Sequence, residues 1–252
     1  MYDLQKASMW KRASAFLFDV IILVIATVGF GTLISGACGY DQHINTMTTT
    51  MQKYETMYNV KFNMTEEETL KLSVIEIERW NKAYEALIAD AEYMQAYNLV
   101  VNLSFLIITF GVLAGYLLLE FAVPLFLGNG QTLGKKIFSL AVMREDSIKV
   151  VGPLMLIRTL LGKFTLETMI PIYLLFLAAL GKIGILGPII IGLILLVQVI
   201  LMIATHTNSM IHDLLAKTVV VDMSSQMIFE NEEELIAYKE KLHAEEAARK
   251  TY

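Results

Sequence analysis

Residues 12–36 read RASAFLFDVIILVIATVGFGTLISG. From Ala13 onward the run is apolar and long enough to cross a bilayer as a helix, which takes roughly 20 residues. Asp19 lies inside the run and Arg12 stands at its entrance. A carboxylate at membrane depth costs about 2.5–3.5 kcal/mol on insertion scales, so such a residue is kept for structure or for function. The run is too long for the apolar core of a cleavable signal, and it reads as an uncleaved signal-anchor.

The rest of the chain agrees with a membrane class. Of 252 residues, 56% are hydrophobic and 18% charged, against about 45–50% and 25% in soluble domains. Further uncharged runs follow, so the expected fold is all-α and polytopic: a four-span helical bundle with both termini inside. The net charge of −5 says little, because the charges are segregated by region. The single cysteine, Cys38, excludes an intrachain disulfide framework and a Cys-based metal site.

Six segments are expected. Residues 1–37 hold the N-terminus and span one, with Lys6, Lys11 and Arg12 arguing for a cytoplasmic start and Trp10 for the interface. Residues 38–97 carry ten acidic and five basic residues, which suits the outside. Their apolar residues recur at 3–4 spacing: Ile44, Met47, Met51, Tyr54 and Tyr58, then Leu70, Ile77, Trp80, Tyr84, Leu87, Ala91 and Met94. That pattern predicts an extracytoplasmic helical hairpin, its second helix opened by a Thr65–Glu68 capping box. With no stop signal in between, that helix is expected to run on into span two, residues 98–127, where Glu120 and Pro124 fall. Residues 128–163 are basic and expected inside. They should form a β-hairpin from Phe138–Met143 and Ile148–Val151, then an interfacial helix over Leu154–Phe164. Residues 164–206 hold spans three and four, the third being short (Phe164–Leu180, with Glu167 and Pro171) and open to a re-entrant reading. Residues 207–252 supply a strand at Thr218–Met223, able to pair with Phe138–Met143 as a small cytoplasmic β-element. A tail helix follows, capped by Asn231, with Glu245–Arg249 and Glu246–Lys250 pairs.

Three landmarks then fall in order: R-x-x-A-x-x-x-D at the first span (Arg12, Ala15, Asp19), G-Q-T-L-G-K-K after the second (Gly130 to Lys136), and H-D-L-L-A-K-T-V-V-V after the last (His212 to Val221). With Arg158, this order resembles the RDD family of bacterial membrane proteins, named for one arginine and two aspartates. The resemblance puts the arginine on Arg12 and the aspartates on Asp19 and Asp213. It implies a multi-pass protein of the bacterial cytoplasmic membrane, with transport of unknown ligands, or cation/proton exchange, as the suggested activity. The Cys38–Tyr97 insertion is longer than the family's usual first loop, and Lys217 stands where typical members have glycine.

The charges allow two readings. In one, Arg12, Asp19, Arg158 and Asp213 form a fixed ionic cluster. Arg158 and Lys163 are then the basic candidates for Asp19, and Arg12 for Asp213. In the other, Asp19, with Glu120 and Glu167, forms an ion or proton site. Arg12 and Asp19 share a helix face about 10.5 Å apart along the axis, too far for a direct bridge.

No Ser-His-Asp or Cys-His pattern is apparent, so no enzyme is expected, and no cofactor or metal site is read. His206 and His212 are six apart, unlike a helical metal pair. Gly128, Gly130 and Gly134 lack Walker A spacing and read as turn glycines. The expected partners are anionic headgroups at the cytoplasmic face and not nucleic acid, further copies of the chain, and an external protein meeting residues 41–95.

Overall fold

The computed structural model describes residues 7–250, the side chains of 249 and 250 excepted. Lys6 and the two expected tail pairs lie outside the described residues. Four helical runs are long and apolar enough to cross a membrane: Met9–Ala37, Ala91–Leu127, Gly152–Ala179 and Leu186–Ala204. The chain divides into two compact units, residues 28–111 and the remainder of the chain.

Helix α1 is Met9–Ala37, and Ala15 is its one buried residue. Its outward Leu17, Ile21 and Val24 are exposed, as a helix that is apolar all round requires when lipid is its surroundings.

Within the smaller unit, α2 (Tyr40–Tyr58) ends at Asn59 in the left-handed conformation, φ 51°. Short α3 (Glu66–Leu70) and α4 (Val74–Ala89) each open with a full capping box, Thr65–Glu68 and Ser73–Glu76. The chain is therefore not one helix from Thr65 onward. A second break falls at Asp90, whose Oδ1 accepts from the N–H groups of Glu92 and Tyr93 (2.9 and 3.1 Å) and starts α5 (Ala91–Tyr116). Each break gives the orphan N–H groups of the next helix a side-chain acceptor. The Trp80 indole donates to the Lys61 carbonyl, Tyr54 to Asp90, and Tyr40 meets Ser104. Partner numbers rise as those on α2 fall, so α2 runs antiparallel to α4 and α5. The buried line between them is Thr50, Ala83 and Leu87; Leu70 is 81% exposed and does not join it.

In the larger unit, α5 passes into a π-helical turn, Leu117–Ala122, then α6 (Val123–Leu127). A proline deprives the carbonyl four residues back of its donor. For Pro124 that carbonyl belongs to Glu120, and the Thr159 hydroxyl donates to it at 2.9 Å. The short α7 (Leu133–Ile137) leads into β1 (Leu140–Arg144). Strand β1 has its partner at the far end of the fold.

The third span differs from expectation. Helix α8 (Gly152–Ile157), a π-helix (Arg158–Met169) and α9 (Ile170–Ala179) form one run. The separate interfacial helix and the seventeen-residue span are thus a single 28-residue helix. The run continues through Gly162, which remains helical, and through Pro171, which sits just past the change from π- to α-helical bonding. A tight connection with Gly181 and Gly184 at positive φ precedes α10 (Leu186–Ala204). Then come α11 (Ile211–Ala216), β2 (Thr218–Asp222) and α12 (Glu232–Lys250), the last capped by the Asn231 side chain on Glu234 N–H.

Strands β1 and β2 pair antiparallel, Val142 opposite Val220. Residues 148–151 form no second strand of a hairpin. They make only single bridges, Met143 with Lys149 and Ile148 with Phe229. The ribbon is buried on both faces. Leu140, Val142 and Val220 pack with Ala15 and Met155, while Ala141, Met143, Val219 and Val221 pack beneath Ile228. That explains an unbroken apolar run where a half-exposed strand would alternate.

Candidate functional site

Four acids lie where α1, α7, the two π-helical segments and α11 converge, and each has a different set of partners. Asp19 is held by the G-Q-T-L-G-K-K segment. Thr132 donates its hydroxyl to Oδ2 at 2.5 Å, and Gly134 its N–H to Oδ1 at 2.7 Å. Thr132 also caps α7 by accepting from Lys135 N–H. Gly134 is not a turn glycine. A Cβ there would strike the Ala15 carbonyl and the Asp19 carboxylate, so its bare backbone is what lets α7 reach α1. The cations expected to pair with Asp19 are engaged elsewhere. Its nearest cation is Lys135 Nζ, 3.9 Å away.

Asp213, fully buried, collects the arginines. Arg158 donates from Nη2 and Nε to Oδ1 at 2.7 and 3.2 Å, and Arg12 reaches Oδ2 at 3.4 Å. The same Oδ2 caps α11 through Met210 N–H at 3.2 Å. Burial pushes the Asp213 carboxyl up, but His212 and the two guanidiniums outweigh it and hold it below the usual carboxylate range.

Glu120 accepts from Lys163 at 2.5 Å and is 6% exposed, so it is held in a buried ion pair. Glu167 accepts from the backbone N–H of His212 at 3.1 Å and lies 2.8 Å from its Nδ1. Burial lowers the pKa of the His212 ring, against the opposing pull of Asp213 and Glu167.

The π-helix explains how Arg158 serves one site with Lys163 and with Glu167, which lies four residues after Lys163 and so on its face already. In an α-helix, residues five apart point about 140° away from each other. The i→i+5 bonding of a π-helix returns them to neighbouring positions. Arg158 then meets Asp213, Lys163 meets Glu120 and Glu167 meets His212. Gly162, between them, has no room for a Cβ against His212, so α11 packs directly on the π-helix backbone.

Two members of the site are absent from the sequence reading: His212 as the partner of Glu167, and Lys135 as an individual. Lys135 is 8% exposed, and its Nζ donates to the Thr132 hydroxyl at 3.2 Å. Burial, with the nearby charge of Lys163, brings its pKa down to about 7. Glycine spacing hinted at a special segment; nothing marked the lysine.

A cavity of about 380 Å³ opens among these groups, lined by Arg12, Asp19, Glu120, Lys135, Arg158 and Lys163. That volume falls in the range of small-ligand pockets. Among the described residues no three His, Cys, Asp or Glu side chains are grouped to hold a metal ion.

Neither a curated protein nor a solved structure matches the chain. The model of the RDD family matches residues 6–217, a stretch that includes Arg12, Asp19, Arg158 and Asp213. This membrane protein therefore belongs to the RDD family.

Proposed function

We propose that the protein is a transport component of the bacterial cytoplasmic membrane and that the cavity beside Asp19 is its ligand site. One observation carries the reading: the charged cluster, with its ion pairs made, also lines a cavity. The family resemblance supports cation/proton exchange in particular. Asp19 is the acid to test, because its nearest cation stands off at 3.9 Å while Glu120 and Asp213 hold theirs at 2.5 and 2.7 Å. The proposed topology has four crossings and both termini in the cytoplasm. The basic 128–163 segment then lies on the cytoplasmic side, where Lys136, Arg144 and Lys149 meet anionic headgroups while Lys135, Arg158 and Lys163 are buried in the cluster, and the acidic 38–97 segment lies outside. Four spans are few for a transporter, so the working form is a homo-oligomer.

The test compares wild type with Asp19→Asn in cells challenged with Na⁺ or Li⁺, protein abundance being measured alongside. Loss of tolerance at equal abundance is expected. Equal tolerance would remove the exchange reading.

A second reading is a scaffold or sensor whose 41–95 hairpin binds an external protein. Three exposed apolar side chains favour it, Leu70, Val74 and Ile75 at 81, 75 and 70%. Deleting residues 41–90 should abolish function and leave the membrane helices folded. An unchanged phenotype would sink this alternative.

A further inference from the structure

The cavity has a chemical polarity. Both oxygens of Asp19 already accept a hydrogen bond, and Glu120 has Lys163. The cations are less fully engaged. A guanidinium carries five N–H donors, and among the described residues Arg12 gives one, at 3.4 Å, to a carboxylate that Arg158 already holds at 2.7 Å. An ammonium carries three, and Lys135 gives one, to Thr132. Both side chains are about nine-tenths buried, 12 and 10% exposed, and both line the cavity. Among the described residues no fully buried side-chain nitrogen or oxygen lacks a partner, so the unpaired Nε and Nη1 of Arg12 are not sealed in, and the Lys135 ammonium has N–H groups beyond its bond to Thr132. What remains to be satisfied in the cavity is therefore donors on cations, and their complement is an anion.

Apart from His212, the rest of the wall is apolar, with Met9, Trp10 and Phe16 from α1, Met202 from the end of α10 and Met210 before α11. Trp10, Phe16 and Met9 are 84, 58 and 43% exposed. Tryptophan at the end of a span sits at headgroup level, and methionine adapts to flexible chains. A wall of this kind with cations at its base suits an amphiphile with an anionic head.

We infer that the cavity is a binding site for an anionic phospholipid. Its phosphate takes the free donors of Arg12 and Lys135, and its acyl chain leaves past Phe16 and Met202. This inference shares with the proposed function the premise that the cavity takes a ligand. It needs no transport, so it is tested on non-transporting protein.

The chain has two tryptophans, Trp10 and Trp80. In full-length Trp80→Phe protein, Trp10 alone reports on the cavity. Reconstituted in phosphatidylcholine bilayers, it should be quenched by brominated phosphatidylglycerol with an apparent affinity about tenfold above that for brominated phosphatidylcholine, the worth of roughly one charge-assisted hydrogen bond. Lys135→Gln should remove most of that preference, and Lys135→Arg should keep it. Ala13→Glu adds a carboxylate to the cavity wall without touching an ion pair, and it should abolish the preference even if Lys135→Gln does not fold. Equal quenching by the two lipids would overturn the inference, as would a preference that survives both Lys135→Gln and Ala13→Glu. Inorganic phosphate at millimolar concentration should not relieve the quenching. If it does, the site takes free phosphate and the lipid assignment is wrong. Loss of cation tolerance with Asp19→Asn alongside equal quenching by both lipids would retain the transport reading and reject the lipid one.

Discussion

Replacing Asp213 by Asn is the substitution to which the charged cluster should be most sensitive. The amide is isosteric and keeps an acceptor for Met210 N–H, so the cap of α11 largely survives. What is lost is the charge between two guanidiniums. Arg158, its side chain 2% exposed, would be left buried without a counter-ion, and Arg12 would lose its 3.4 Å partner. Breaking a buried pair by removing one member costs about 3–5 kcal/mol, most of it the desolvation of the charge left behind. Asp19→Asn should cost less, about 1.5–3 kcal/mol, because it weakens hydrogen bonds from Thr132 and Gly134 and strips no cation of a close partner. The assay is equilibrium unfolding of the purified protein in mixed micelles, followed by helical circular dichroism. Adding Arg158→Met to Asp213→Asn should recover part of the loss, with a coupling of about 0.5–3 kcal/mol. If Asp19→Asn proves as destabilising as Asp213→Asn, or the double variant shows no coupling, the assignment of Asp213 as the hub is wrong.

Three further outcomes are expected. Lys217 ends α11 at φ 49° and is exposed; a glycine there removes left-handed strain, so Lys217→Gly should raise stability by about 1 kcal/mol in the same assay. Thr159→Val leaves the Glu120 carbonyl without its donor opposite Pro124, and should cost about 1–3 kcal/mol with span content by infrared spectroscopy unchanged. Lys135 has a folded-state pKa near 7, below its ordinary 10.5, so the unfolded chain holds a proton that the folded chain lacks across that window. Its contribution should therefore be unfavourable below about pH 7 and fade as pH rises toward 10.5, and Lys135→Met should remove that slope from a stability-against-pH profile.

The spans were legible because composition alone decides them: a run such as Leu186–Ala204 suits no aqueous surface. The β1–β2 ribbon was legible from β-branched residues in Thr218–Asp222 and from the capacity of Phe138–Met143 to pair with them. The Thr65 and Asn231 caps are local and were read correctly for that reason. The pairings inside the cluster were not legible. Asp19 and Thr132 are 113 residues apart in sequence, and proximity across such a distance leaves no periodic trace. The π-helix hid the rest. Read at 3.6 residues per turn, Arg158 points away from Lys163 and Glu167, and a shared place at the membrane interface, which made Arg158 and Lys163 the candidates for Asp19, does not tell which acid each one meets. Asp90 misled in the opposite way. No stop signal was read between the hairpin and span two, yet the Asp90 side chain ends one helix and starts the next.

The charged cluster lines a cavity, and the proposed topology opens that cavity to the cytoplasmic side. Phe16 and Leu17 are neighbours on α1 at the same depth; Phe16 lines the cavity, and Leu17 faces outward at 61% exposure. With Cys38, the one native cysteine, replaced by serine, Phe16→Cys and Leu17→Cys can be treated from the cytoplasmic face of inverted vesicles with a membrane-impermeant anionic thiosulfonate. A thiol reacts only as the thiolate, which needs water around it. The account predicts rapid modification at position 16 and little at position 17. Equal rates at the two positions would contradict it.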